Sequence, residues 1–329
     1  MLWLLLAAYV LGASAPGVGL RLRELHVGSA HALGSAGAVS LPMLLLASLL
    51  LIAGLSAELE EVSKCLRRPG LLIVLLGANA TYPVVFASIA AVLLMGWHDG
   101  HEAQNILVGL AMVGAMPIAG ASTAWSQNAD GNLALSLGLV WGSTLASPLL
   151  TPLGLHVVGF LTAGDYSEDL HRVARQGSAL FVIVAVVLPS FVGMGTQVLV
   201  GKRLRRAKPA LTLASLFVLL LLNYVNAAIS LPRMFSRVDI DFIALLIVVM
   251  TAMCAGAFAL GWWIPRSLRA SRRDQTAAMF GMGMNNNGTG LVLAAEALPD
   301  HPVVLVVIIV YNLVQQILAG VVDAFRRRR

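Results

Sequence analysis

The sequence predicts an all-α membrane protein with ten transmembrane helices, arranged as two five-helix repeats of opposite orientation. Of its 329 residues, 58% are hydrophobic and 12% are charged, and the mean hydropathy is +0.85. A soluble domain of this composition would expose large apolar patches. Apolar runs of about 20 residues, the length of a membrane-crossing helix, alternate with short polar loops. Two of the runs are interrupted, at corresponding places in the two halves.

The apolar segments follow one another closely along the chain. They cover residues 1–20, 39–57, 70–95, 105–126, 133–160, 178–200, 209–230, 241–264, 275–297 and 302–324. Because five is an odd number of crossings, a second set of five helices begins on the opposite side of the bilayer and lies inverted. The two repeats are therefore predicted at residues 1–162 and 176–325.

The first segment also has features of a signal peptide. An apolar stretch from Leu2 to Leu11 precedes the small residues Ala13-Ser14-Ala15, as at a cleavage site. No basic residue comes before it, and the apolar character continues past Pro16, so we predict an uncleaved first helix. Cleavage is the alternative, and it would leave nine spans and an external N-terminus.

Basic residues are shared unequally between the two sides of the predicted bundle. One side holds sixteen: Lys64, Arg67, Arg68, Lys202, Arg203, Arg205, Arg206, Lys208, Arg266, Arg269, Arg272, Arg273 and Arg326 to Arg329. The other side holds six: Arg21, Arg23, Arg172, Arg175, Arg233 and Arg237. The positive-inside rule predicts that the first side faces the cytoplasm, with both termini, in a multi-pass protein of the plasma (inner) membrane. The net charge of +6 thus indicates topology in a lipid bilayer and no nucleic-acid partner.

The interrupted segments are the strongest functional signal. Met279 to Leu291 reads MFGMGMNNNGTGL, and because glycine and asparagine are poor helix formers a break is predicted at roughly Gly288 to Gly290. Ala115 to Thr123 reads AMPIAGAST and breaks the fourth span. Such breaks in inverted halves are typical of secondary transporters, whose site lies where the breaks meet. No HExxH motif, paired membrane aspartates or acidic cluster points to an enzyme.

Several motifs together resemble the bile acid:sodium symporter family. They are Gly54-Leu55-Ser56 with Leu66-Arg67-Arg68-Pro69, Pro117 to Thr123, Gly131 to Ser136 with Ser143 to Pro152, and Gly283 to Asn286. The resemblance covers nearly the whole chain. It implies that helices 4 and 9 are discontinuous, cross each other and bind sodium. It also implies a core domain of helices 3–5 and 8–10, a panel domain of helices 1, 2, 6 and 7, and a solute cleft between the two.

The sequence is divergent at the sodium sites that the resemblance implies. Ser122 and Ser136 are retained at the first site, but Thr123 and Val140 replace its other polar residues, and Gly281 stands where the family has a glutamate shared by both ions. We therefore expect the first site to be absent. The family's third-helix glutamine falls at Asn79 or Ala78 here. Amide oxygens of Asn79, Asn285 and Asn286 could still build one neutral site with the backbone carbonyls of Met282 and Met284. Whether sodium is the coupling ion stays open, and no other cofactor is predicted.

The predicted solute is an organic anion, bile-acid-like or a small carboxylate, because half-helix N-termini attract anions. Asn223 and Asn226 would face it from the panel side, or else join helices by hydrogen bonds. At the ninth-helix break, Asn285, Asn286, Asn287 and Thr289 would bind ion or substrate, with a structural cap as the alternative. A polar face on the last helix is predicted to pack against this break: Tyr311, Asn312, Gln315 and Gln316.

Three functions remain open at this point. The first is alternating-access transport of the anion, with sodium coupling undecided. The second is a sodium-independent facilitator, and the third is a membrane sensor that keeps the transport fold without flux. Proton coupling is disfavoured, since the central thirds of the spans contain no Asp, Glu, Lys or Arg.

Overall fold

The computed structural model describes residues 2–29, 38–56, 69–236 and 239–327. Within these ranges lie fourteen α-helices and one π-helical turn, Ile183–Val187. The helices are α1 Leu2–Ser14, α2 Pro16–Arg23, α3 Leu41–Leu55, α4 Pro69–Leu94, α5 Gly100–Gly114, α6 Ala121–Asn128, α7 Leu133–Gly159, α8 Asp165–Gln176, α9 Ser178–Val182, α10 Leu188–Ser236, α11 Ile240–Ser267, α12 Arg272–Gly283, α13 Asn287–Ala297 and α14 Pro302–Arg327.

Six helical segments are long and apolar enough to cross a membrane, namely Pro69–Leu94, Leu133–Gly159, Ser178–Val200, Pro209–Pro232, Ile240–Ser267 and Pro302–Arg326. The bent pair α1 and α2 makes a seventh if it counts as one span. A helical membrane protein is thus confirmed. The ten-span inverted arrangement stays a prediction, since α3 and the halves of the two interrupted spans are shorter.

The sequence analysis expected the first span to be one helix, but the structure divides it into two. The chain turns by 90° between α1 and α2, and Ala15 at the corner has φ −132° and ψ 62°. Pro16 favours the bend, because proline disfavours the helical conformation of the residue before it. Two short strands follow, β1 His26–Ser29 and β2 Ala38–Ser40, which pair antiparallel. The all-α prediction did not include this hairpin, which is a small addition to a helical fold.

The predicted loop between the sixth and seventh spans is also wrong. Residues 201–208 are helical and lie inside α10, which runs from Leu188 to Ser236. Lysine, arginine, leucine and alanine dominate this stretch, and all four are strong helix formers. The predicted basic loop with Lys64, Arg67 and Arg68 lies outside the described residues, as does Arg237.

An amphipathic helix, α8, lies between the fifth and sixth spans, where only a loop was predicted. Leu170, Val173 and Ala174 are its buried residues. It is held to the end of α7 by His171, whose Nδ1 lies 2.8 Å from Nδ1 of His156. Burial, the charge of His156 and the charge of Arg175 lower the pKa of His171 below its ordinary value of 6.5.

Candidate functional site

The two interrupted spans meet at their breaks. Ile118, between α5 and α6, forms an antiparallel bridge with Asn285, between α12 and α13. The amide of Ala119 donates to the carbonyl of Met284, and the amide of Asn286 donates to the carbonyl of Pro117, each over 2.8 Å. Each break therefore satisfies backbone groups of the other, as an apolar surrounding requires.

Hydroxyl groups of α7 cover the first break. Ser143 Oγ accepts from the amide of Ile118 over 3.0 Å, and Thr151 Oγ1 donates to the carbonyl of Ala115 over 2.7 Å. The sequence analysis quoted both residues in a family motif and gave them no role. Their separation of eight residues, which places them on one helix face, is the signal that could have identified them.

The last helix covers the second break, as the sequence predicted. Gln315 accepts from the amide of Asn285 over 2.9 Å and donates to the carbonyl of the same residue over 3.3 Å. Asn287 Nδ2 donates to Gln315 Oε1 and to Asn312 Oδ1, each over 3.2 Å. These contacts fix the break between α12 and α13 to α14.

The second break lies at Met284 to Asn286, earlier than the predicted Gly288 to Gly290, which belong to α13. Asn286 causes the shift, because its Oδ1 accepts from the amide of Thr289 over 3.3 Å and caps the new helix. Gly290 serves packing instead: a Cβ there would lie 3.0 Å from the carbonyl oxygen of Met112.

The other polar residues of this break keep acceptor capacity. Asn285 Nδ2 donates to the carbonyl of Val113 over 3.1 Å, and its Oδ1 remains as an acceptor. Asn285 Oδ1, Asn287 Oδ1 and Thr289 Oγ1 are all buried, with no hydrogen-bond partner among the described residues. Such orphaned acceptors in an interior indicate a ligand, an ion or water.

Residues 43–237, more than half of the chain, match the Sodium Bile acid symporter family. The chain belongs to this family. Three relatives agree with the assignment, each similar over about 70% of this chain or more. The Bacillus subtilis (strain 168) "Uncharacterized protein YbaS" is 28% identical over 69% of this chain and 72% of its own length. "Uncharacterized sodium-dependent transporter YocS" of the same organism is 27% identical over 73% and 69%. "Probable sodium/metabolite cotransporter BASS2, chloroplastic" of Oryza sativa subsp. japonica is 26% identical over 75% and 55%.

Where the resemblance places the first sodium site, this symporter-family chain is packed with apolar groups. Gly281 is buried, and a Cβ added to it would lie 2.7 Å from Cδ1 of Leu139. Leu139 and Val140 are buried in one apolar cluster with Met282. The Leu139 side chain would therefore have to shift before any side chain could be placed at position 281.

The polar residues expected at this first site differ in their hydrogen bonding. Ser122 and Ser136 are fully buried, and their hydroxyl oxygens have no hydrogen-bond partner within the described part of the chain. Thr123 is half-buried and donates to the carbonyl of Gly120 over 2.7 Å. Two hydroxyls thus keep acceptor capacity, without a charged partner.

The residues named for a second, neutral sodium site fall into two groups. Asn79 lines a cavity of about 380 Å³ that reaches Met116 and Pro117 at the first break. The lining of this cavity does not include Met282, Met284 or Asn285. The carbonyl of Met284 already accepts from Ala119. The structure therefore places Asn79 beside one break and the asparagine oxygens beside the other.

Asn223 and Asn226, the asparagines expected on the panel side, differ in their hydrogen bonding. Asn223 is buried, and its Oδ1 accepts from the Tyr9 hydroxyl over 2.8 Å; Asn312 Nδ2 donates to the same hydroxyl over 2.7 Å. Asn226 is fully buried, and neither atom of its amide has a partner among the described residues; the Ser230 hydroxyl is in the same state. Asn223 thus makes the interhelical contact that the sequence analysis left open, and Asn226 retains a donor and an acceptor. Sequence reasoning missed Tyr9, which lies in an otherwise apolar run without a distinguishing pattern.

Proposed function

We propose that this family member is a secondary transporter of an organic anion, bile-acid-like or a small carboxylate, working by alternating access. Ten membrane helices would form two inverted repeats, with crossed helices 4 and 9 in the core domain and both termini on the cytoplasmic side of the inner membrane. The observation that carries the proposal is the contact between the two helix breaks, with unpartnered polar groups beside it.

On the ion side, the three orphaned oxygens at Asn285, Asn287 and Thr289 support one neutral cation site. Sodium is a hard cation that prefers oxygen ligands, and a relative carries the name of a sodium-dependent transporter. Without a neutralising carboxylate, this site would hold sodium weakly. We propose coupling to a single sodium ion there.

On the solute side, Asn226 and Ser230 are the best candidates. Several backbone amides at the breaks already donate within the protein, including those of Ile118, Ala119 and Asn286. An anion therefore needs other donors, and the Asn226 amide and the Ser230 hydroxyl each keep one. Asn223 is instead proposed to hold the panel against α14 through Tyr9.

Reconstitution in liposomes tests the proposal. Uptake of labelled bile acids, 2-keto acids and pantothenate-like anions would be compared under sodium, potassium and choline gradients. Sodium-driven uptake is expected, with loss of sodium stimulation in Asn285→Ala and loss of solute affinity in Asn226→Leu. Thr196→Ala is the matched control, since this exposed hydroxyl bonds only its own helix.

A sodium-independent facilitator is the second candidate, and the packing of Leu139 against Gly281 favours it. Equal uptake in all three gradients would establish it and exclude coupling. Solute binding with no flux in any gradient would instead indicate a sensor and refute transport.

A further inference from the structure

A basic pocket lies at the end of the bundle where α11 ends and α12 begins. It has a volume of about 540 Å³ and is formed by α11, α12 and α14. Three arginines line it: Arg266, Arg272 and Arg326. They stand at the last turn of α11, the first residue of α12 and the end of α14.

The pocket changes from basic to apolar with depth. Phe258, Trp262 and Arg266 are spaced four residues apart on α11 and so share one face, and Phe258 lies about 12 Å deeper along the axis than Arg266. On α12, Met279 lies about 10 Å deeper than Arg272 by the same rise. The pocket is thus charged at the bundle end and apolar inside, which is the polarity of a phospholipid.

The guanidinium groups are held in place by neighbours. Arg266 lies over the Trp262 ring, 5.0 Å from its centroid. Arg326 Nε donates to Thr276 Oγ1 over 2.9 Å, and its Nη2 donates to the carbonyl of Arg272 over 2.7 Å. These contacts preorganise the guanidinium groups. Arg326 uses Nε and Nη2 within the protein, so the parallel pair of hydrogen bonds that a guanidinium makes to phosphate is assigned to Arg266 and Arg272.

We propose that this pocket binds an anionic phospholipid. The phosphate lies among Arg266, Arg272 and Arg326, and the start of one acyl chain lies against Phe258 and Met279. This end carries the loop counted with the cytoplasmic side in the sequence analysis, and basic pockets between membrane helices on that side bind anionic headgroups. The apolar wall distinguishes a lipid from a free phosphate ion, which would use only the arginines.

Lipid titration of the purified full chain in a neutral detergent tests the proposal. Dioleoylphosphatidylglycerol, dioleoylphosphatidylcholine and inorganic phosphate would be compared, with bound lipid counted by native mass spectrometry and stability followed as the thermal midpoint. Each arginine is expected to contribute about fivefold to the affinity for the anionic lipid. Arg266→Gln should therefore weaken it about fivefold, and Arg266→Gln with Arg272→Gln about 25-fold. Phosphatidylcholine binding should be unchanged in both variants.

The control is Arg269→Gln, which removes the same charge from the adjacent turn but does not line the pocket. Equal affinity for the two lipids would overturn the proposal, and so would an equal loss in the control. Full stabilisation by inorganic phosphate alone would assign the pocket to a free anion and also overturn it. If the double variant does not fold in phosphatidylcholine, the single Arg266→Gln variant decides, since among the described residues it loses only the cation–π contact with Trp262.

Discussion

Replacing Tyr9 by phenylalanine should loosen the contact between the N-terminal helix, α10 and α14. The substitution keeps the buried ring and removes a hydroxyl that makes two hydrogen bonds, to Asn223 over 2.8 Å and from Asn312 over 2.7 Å. A buried hydrogen bond contributes about 1 kcal/mol in soluble proteins and about 0.6 kcal/mol between membrane helices. Losing two, and leaving both asparagines without this partner, should lower the free energy of unfolding by roughly 1–3 kcal/mol.

The assay is a double-mutant cycle in detergent or bicelles. Tyr9→Phe, Asn223→Leu and the double variant would be compared by free energy of unfolding, with Thr196→Ala as the baseline for loss of an exposed hydroxyl. A coupling energy of about 0.5–1.5 kcal/mol is expected for residues in direct contact. Strict additivity, with Tyr9→Phe as stable as the parent protein, would refute the reasoning and remove Tyr9 from the proposed panel–core contact.

Three further predictions concern the break and the amphipathic helix. Gly281→Glu should lower the free energy of unfolding by about 1–3 kcal/mol through overpacking against Leu139. Sodium-dependent stabilisation greater than that of the parent protein should appear only when Leu139→Ala is added, and such a gain from the single substitution would contradict the packing argument. Asn286→Ala should lower the free energy of unfolding by about 1 kcal/mol through loss of the helix cap, while Asn286→Ser should change it little. Thermal unfolding measures both, and an equal loss of stability in the two variants would refute the capping role. The pKa of His171 is lower in the folded protein than its ordinary value of 6.5, so below pH 6.5 the unfolded segment binds more protons than the folded one. The contact with His156 is therefore fully stable above that pH and weakens as the pH falls toward the folded pKa. Hydrogen-exchange protection of α8 should decrease accordingly, and the His171→Gln variant should lose this dependence.

Much of the candidate site follows from composition and periodicity. Proline and glycine at Ala115 to Thr123 and asparagine and glycine at Met279 to Leu291 exclude a regular helix, and the structure breaks the chain inside both segments. The polar face of the last helix was likewise readable, because Asn312 and Gln315 are three residues apart and share a face. Patterns of this kind depend only on local chemistry.

Other features depend on contacts distant in sequence. The second break lies earlier than the predicted Gly288 to Gly290 because Asn286 can cap α13, and that choice is made by a three-dimensional hydrogen bond. The packing of Leu139 against Gly281 brings together residues 142 positions apart, and Tyr9 meets Asn312 across 303 positions. The helical course of residues 201–208 was missed for another reason: charge indicated an exposed segment, and exposure does not exclude a helix.

The two hydrogen bonds between Gln315 and Asn285 have a mechanical consequence. An amide side chain that both donates to and accepts from one residue acts as a third strand beside the Ile118–Asn285 bridge, so the unwound backbone is paired along both edges. Sliding α14 past this point would break both bonds at once in an apolar surrounding. The crossing is therefore a rigid joint that ties the two interrupted spans and the last helix into one body. Between α10 and α14 the hydrogen bonds through the Tyr9 hydroxyl lie beside apolar packing, which permits relative motion more easily than the paired backbone of the joint does.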